Sequence, residues 1–83
     1  MSHGKSATCK VRLYFVEESS SGMALKFAFA PKRADAFKHI WIPKSVIEHT
    51  TKFPKGDGHD YAQYELTIPE WIAEQKDLGD CEV

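Results

Sequence analysis

The sequence predicts an α+β fold that is mainly β: a four-stranded antiparallel curled sheet or small barrel with one C-terminal helix, in the order β-β-β-turn-β-α. Three observations predict it. Residues 9–16 and 23–30 each alternate apolar and polar side chains on either side of a short turn, the signature of a half-buried hairpin. The chain also repeats a phrase: IWIPKSVIE at 40–48 is echoed by LTIPEWIAE at 66–74. Both copies fit apolar-x-Ile-Pro-charged-x-apolar-x-Glu, a strand that runs into a proline and turns into a helical segment. Finally, only the second copy continues into an amphipathic stretch, residues 69–78. The echo is too short and too few in copies for a stacked solenoid, so it reads as one local device used twice.

Each element follows from its residues. Residues 1–7 are small and polar and read as a disordered tail, which leaves 8–83 as a single small β-rich domain. In the first strand Cys9, Val11, Leu13 and Phe15 point one way, and Lys10, Arg12 and Tyr14 the other. Glu17 to Gly22 is a turn, with Gly22 available for a positive φ. In the second strand Leu25, Phe27 and Phe29 form one face, while Ala24, Lys26, Ala28 and Ala30 keep the other face low. The third strand, residues 36–42, ends at Pro43, which cannot donate to a ladder. Ile40 and Ile42 ask for the core and would send Phe37, His39 and Trp41 outward. The phase of this strand stays open, because the helix or a second subunit can cover Trp41 and Phe37.

Pro43 suits the first position of a short helical turn, its φ being preset. Residues 50–60, with Pro54, Gly56 and Gly58, read as a loop. Residues 61–68 form the fourth strand, with Ala62, Tyr64, Leu66 and Ile68 on one face. Pro69 opens a helix of about ten residues that is marginal alone and packs on the sheet through Trp71, Ile72 and Leu78. Glu70 suits its positive N-terminal end, and Gly79 sits where a left-handed C-terminal cap is expected. A buried Trp71 ring implies that Trp71→Ala costs roughly 3–5 kcal/mol.

Composition bounds the function. The chain has 83 residues, 42% hydrophobic and 28% charged, with a formal net charge of -1. These are ordinary values for a soluble domain, and no global field draws it to nucleic acid or membrane. Any basic surface is local. The start lacks an apolar leader segment, and the longest apolar run falls far short of a membrane span. Cys9 and Cys81 are too few for a disulfide scaffold and read as free thiols of a reducing cytosol, with a bridge between them left open.

Two groups of residues carry binding chemistry. Lys10, Arg12, Tyr14, Lys26 and, depending on phase, Trp41 share the face opposite the core. A flat sheet with cations interleaved among aromatics suits single-stranded nucleic acid, because bases stack on rings while cations hold phosphates. Gln63 and Glu65 dilute the positive charge of that face. The second group is the loop with Lys52, Phe53 and Lys55, together with the acidic helix stripe Glu70 and Glu74. An exposed Phe53 can anchor a protein partner, and an acidic stripe can enter a partner's basic cleft; the plainer readings are a ring folded over the core and a solvated face. No catalytic residues are assigned. There is no G-x-S-x-G elbow, Gly56-Asp57-Gly58 lacks the Gly-Lys-Ser/Thr of a phosphate loop, and no Cys or His pair has zinc-site spacing. No metal and no cofactor is expected, and the chain reads as non-enzymatic.

The motif pair W-I-P-K-S at 41–45 and I-P-E-W-I-A at 68–73, ending in Lys76-Asp77-Leu78, resembles a loose set of small, uncharacterised phage and prophage proteins with a W-I/L-P-K-S and I/V-P-E-W-L/I-A signature. The likeness covers roughly the C-terminal half and is structural rather than catalytic. Some of those proteins look like neighbours of phage recombination and single-strand-binding functions. The resemblance implies a phage-type accessory protein in the cytoplasm of a bacterial host. The longer loop at 50–60 departs from the compact members. The expectation is therefore a non-enzymatic binding protein that contacts single-stranded nucleic acid. The alternatives are an inhibitor of a host defence complex, by analogy of size with anti-CRISPR proteins, and a structural homodimer.

Overall fold

A computed structural model describes residues 7–83. Among the described residues there are five strands: β1 (Thr8–Glu18), β2 (Ala24–Ala28), β3 (His39–Pro43), β4 (His49–Lys52) and β5 (Ala62–Pro69). They form one antiparallel sheet in the order β3-β2-β1-β5-β4. One helix, α1 (Glu70–Gln75), follows β5, and short 3-10 turns cover Arg33–Asp35, Lys44–Val46 and Gly79–Cys81. The mainly β architecture with one C-terminal helix is as the sequence predicts, with one more strand. The expected tail lies outside the described residues apart from Ala7, whose carbonyl accepts the Glu70 N–H at 3.0 Å. That bond satisfies one of the orphan donors at the start of α1.

The alternating residues place the core. Val11 and Leu13 of β1, Phe27 of β2, Ile42 of β3, and Leu66 and Ile68 of β5 are buried together with Ile72, Ala73 and Leu78. Ile40 also packs against this cluster, which fixes the phase of β3: its isoleucines face the core, and Trp41 faces out, 40% exposed. Phe37 precedes β3 and is 92% exposed, so neither ring is covered by the helix.

The hairpin between β1 and β2 turns at Gly22, φ 77°, with the Ser19 hydroxyl accepting the N–H groups of Met23 and Ala24. A bulge interrupts the β1–β2 register between Phe15 and Glu17. The extra residue re-aims the strand end and sets Glu17 opposite Lys26.

The two Ile-Pro corners share their proline backbone angles. Pro43 has φ −61° and ψ 138°, and Pro69 has φ −62° and ψ 144°. Each proline is the extended cap rather than the first helical residue, so both sit one position earlier than their fixed φ alone suggests.

Four local expectations are corrected. Residues 49–52 are a strand, not loop, because they pair with Tyr64 to Thr67 of β5. The helix spans six residues rather than about ten. It ends at Asp77, whose φ is 58°, and not at Gly79. The Leu78 N–H reaches the Ala73 carbonyl at 2.8 Å and the Asp77 N–H reaches the Glu74 carbonyl at 3.2 Å, the Schellman pattern; aspartate is among the few side chains that tolerate the left-handed region. Lastly, Trp71 is 54% exposed. On a helix it points about 100° away from Ile72, and Ile72 and Ala73 take the buried side. After Leu78 the chain turns back to the sheet, where Glu82 bridges Val11 and the Val83 N–H bonds the Lys10 carbonyl at 3.0 Å.

Candidate nucleic-acid interface

The helix packs on part of the inner face of the sheet, and the outer face carries a ladder of polar and aromatic side chains. Strand register sets its rungs. Trp41, Lys26 and Glu17 lie side by side across β3, β2 and β1. The next rung is His39, Ala28, Tyr14 and Gln63. Arg12, Glu65 and Thr51 form a third, and Lys10, Thr67 and His49 a fourth. Lys10, Arg12, Tyr14, Lys26 and Trp41 are therefore brought to one face. Ala28 lies between Tyr14 and His39 and is fully buried.

Cations and rings are paired on this face. The Lys26 ammonium sits 5.4 Å from the Trp41 ring centroid and 3.1 Å from a Glu17 carboxylate oxygen. The Arg12 guanidinium lies 5.5 Å from the centroid of Phe53, and its Nε donates to Glu65 at 3.2 Å. That bond uses one of five guanidinium donors and leaves the Nη groups for another acceptor. Each ion pair joins one exposed and one half-buried side chain and contributes at most about 1 kcal/mol, so an incoming phosphate competes with a carboxylate rather than with a buried charge.

The loop after β4 folds onto the same face, a placement that local sequence pattern does not reveal. The Phe53 N–H bonds the Gln63 carbonyl at 2.9 Å, which carries its ring under Arg12. His59 meets Tyr14 edge-on, with centroids 6.3 Å apart. Gly56 makes room for this contact: a Cβ there would lie 2.8 Å from the His59 ring. The N–H groups of Asp60 and Tyr61 share the Pro31 carbonyl, and the Asp60 carboxylate accepts the Arg33 N–H at 2.7 Å. A side-chain hydrogen bond with Tyr61, reinforced by the Tyr61 and Asp60 charges, holds the Arg33 guanidinium above its ordinary pKa.

The second predicted group is dispersed. Phe53 is half-buried on the outer face, Lys52 lies at the sheet edge on β4, and Lys55 is exposed in the loop. Glu70 and Glu74 are on α1, on the other side of the sheet, both exposed. Cys9 and Cys81 are free. Burial raises both thiols, aided at Cys9 by Glu82 and Glu70 and at Cys81 by Asp80, so the unreactive protonated form is favoured. Among the described residues no three His, Cys, Asp or Glu side chains converge to hold a metal ion, and no helix is long and apolar enough to cross a membrane. Comparison with protein-family models, with curated proteins and with solved structures finds no match.

Proposed function

We propose that the outer sheet face binds single-stranded nucleic acid without chemistry on it. The observation that carries this reading is the helix-free face on which Trp41, Tyr14 and Phe53 each lie beside a cationic or titratable partner: Lys26, His59 and Arg12. Bases stack on Trp41 and Tyr14, each stack contributing roughly 1–3 kcal/mol. Phosphates meet Lys10, Lys26 and the free Nη groups of Arg12. Glu17 and Glu65 keep the contact weak and salt-sensitive. The resemblance of the Ile-Pro pair to small phage proteins supports an accessory role in phage nucleic-acid metabolism within a bacterial cytoplasm.

The test is an anisotropy titration with single-stranded oligonucleotides at low salt. The expected dissociation constant lies around 10⁻⁴–10⁻⁶ M and weakens steeply with salt, and Trp41→Ala reduces affinity about tenfold. Binding no tighter than millimolar, or binding indifferent to salt, sinks the proposal.

A second reading rests on α1, which exposes Trp71 beside Glu70 and Glu74. An aromatic anchor flanked by carboxylates suits a basic protein cleft, as in an inhibitor of a host complex. A pull-down from bacterial lysate with and without nuclease separates the two. A nuclease-resistant, stoichiometric protein that Trp71→Ala releases supports the second reading, and loss of all capture on nuclease treatment supports the first.

A further inference from the structure

The inner face of the sheet is only half covered. Six helical residues span about 9 Å, and Ile72 and Ala73 seal the side built on Val11, Leu13, Leu66 and Ile68. Beyond them Phe15, Leu25, Ile47 and Tyr64 line an open cleft of about 580 Å³, with Thr50, Lys52, Lys44 and Glu18 completing its wall and rim. This volume falls within the range of small-molecule sites, roughly 300–1,000 Å³, and the lining sets four apolar or aromatic residues against four polar or charged ones.

We propose that this cleft binds a planar aromatic ring bearing an anionic group. The floor is rigid. Phe15 and Tyr64 stack with centroids 4.9 Å apart and planes 3° apart, and Phe27 meets both edge-on at 6.0 Å. Leu25 and Ile47 supply an apolar wall for a flat ring.

The rim sets the charge. Glu18 is engaged by Lys44, whereas Lys52 has no carboxylate partner among the described residues and its ammonium lies 5.5 Å from the Tyr64 centroid. The net charge of the rim is therefore positive, and the free cation stands directly over the aromatic floor. A carboxylate, sulfonate or phosphate on the guest pairs with Lys52 while its ring enters the apolar part, and the Thr50 hydroxyl adds a polar contact. The site is separate from the outer face, since these side chains point to the opposite side of the sheet from Arg12, Tyr14 and Trp41.

Amide chemical shifts of the labelled protein, titrated with 2-naphthoate and with neutral 2-naphthylmethanol, test the proposal. Naphthoate is expected to bind with a dissociation constant below about 1 mM, within the efficiency of small ligands, and to shift Leu25, Ile47, Thr50 and Tyr64. The neutral analogue and the Lys52→Gln variant each bind about tenfold more weakly, the loss expected for one charged contact. Thr50→Trp, which fills the cleft, abolishes binding. Oligonucleotide affinity is unchanged in both variants, and Trp41→Ala leaves naphthoate binding intact, so failure here is distinct from failure of the nucleic-acid reading. Equal affinity for the two naphthalenes, no effect of Lys52→Gln, or shifts centred on Trp41 overturns the assignment. Broadening of the cleft amides with protein concentration alone also overturns it, because a second copy then fills the cleft.

Discussion

The two Ile-Pro corners start alike and end differently. Pro43 and Pro69 differ by one degree in φ and six in ψ, yet the first leads to a 3-10 turn and an edge strand, the second to α1. The divergence lies in the residues downstream of each proline. After Pro69 the run from Glu70 to Glu74 has good helix formers in Glu70, Ala73 and Glu74, and two adjacent small or apolar residues, Ile72 and Ala73, to bury. After Pro43, Ser45, Val46 and Ile47 offer weak helix formers, two of them β-branched, and the chain is back in a strand at His49. One corner closes its side of the inner face and the other leaves its side open. A repeated motif thus specifies a backbone turn, while its neighbours decide whether the turn becomes a lid.

The largest expected break in this comparison is at the equivalent apolar positions. Ile72 is 3% exposed, whereas its counterpart Val46 is half-buried. Ile72→Ala should lower stability by roughly 2–5 kcal/mol and Val46→Ala by about 1 kcal/mol, read as urea midpoints. Equal losses would mean that both corners are equally sealed. Next, Trp71→Ala should change stability by less than about 1 kcal/mol, since the exposed ring faces away from the core. A loss of several kcal/mol would place the ring back in the sheet interface.

A smaller effect of opposite sign is expected at the end of α1. Asp77→Gly relieves a left-handed residue and removes a negative charge from the helix C-terminus, and should raise stability by about 0.5–1 kcal/mol in thermal unfolding. The smallest effect concerns pH. Cys9 and Cys81, both on the sealed side, hold their protons more tightly when folded than when unfolded. Their contribution to stability is then complete below the ordinary thiol pKa of 9.0 and is lost as pH rises beyond it. Denaturation midpoints between about pH 7 and 10.5 should fall at the alkaline end, and substituting both cysteines by alanine should flatten that fall.

Much of the sheet was legible because burial writes a period of two into sequence. β1, β2 and β5 carried it plainly, and the alternation alone puts the cations Lys10, Arg12 and Lys26 on one face. β4 was not legible, because His49, Thr50, Thr51 and Lys52 have no apolar alternation and become a strand only through pairing with β5. The bulge at Val16 was invisible for a similar reason, and with it the approach of Glu17 to Lys26. Phe53 and His59 reach the outer face through backbone bonds from a loop, a long-range placement that no local pattern records. Trp71 misled because size suggests burial, while helix length and phase decide it.

The central strand carries a kinetic consequence. β1 comes early in the chain, but its partner β5 lies far along it; Arg12 and Glu65 are 53 residues apart. The β1–β2–β3 meander can form from neighbours, yet the strand at the middle of the finished sheet must wait, one edge bare, until β5 arrives. Pairing at such separation slows folding toward the millisecond-to-second range. During that wait the bare edge of β1 is an open template for misassembly.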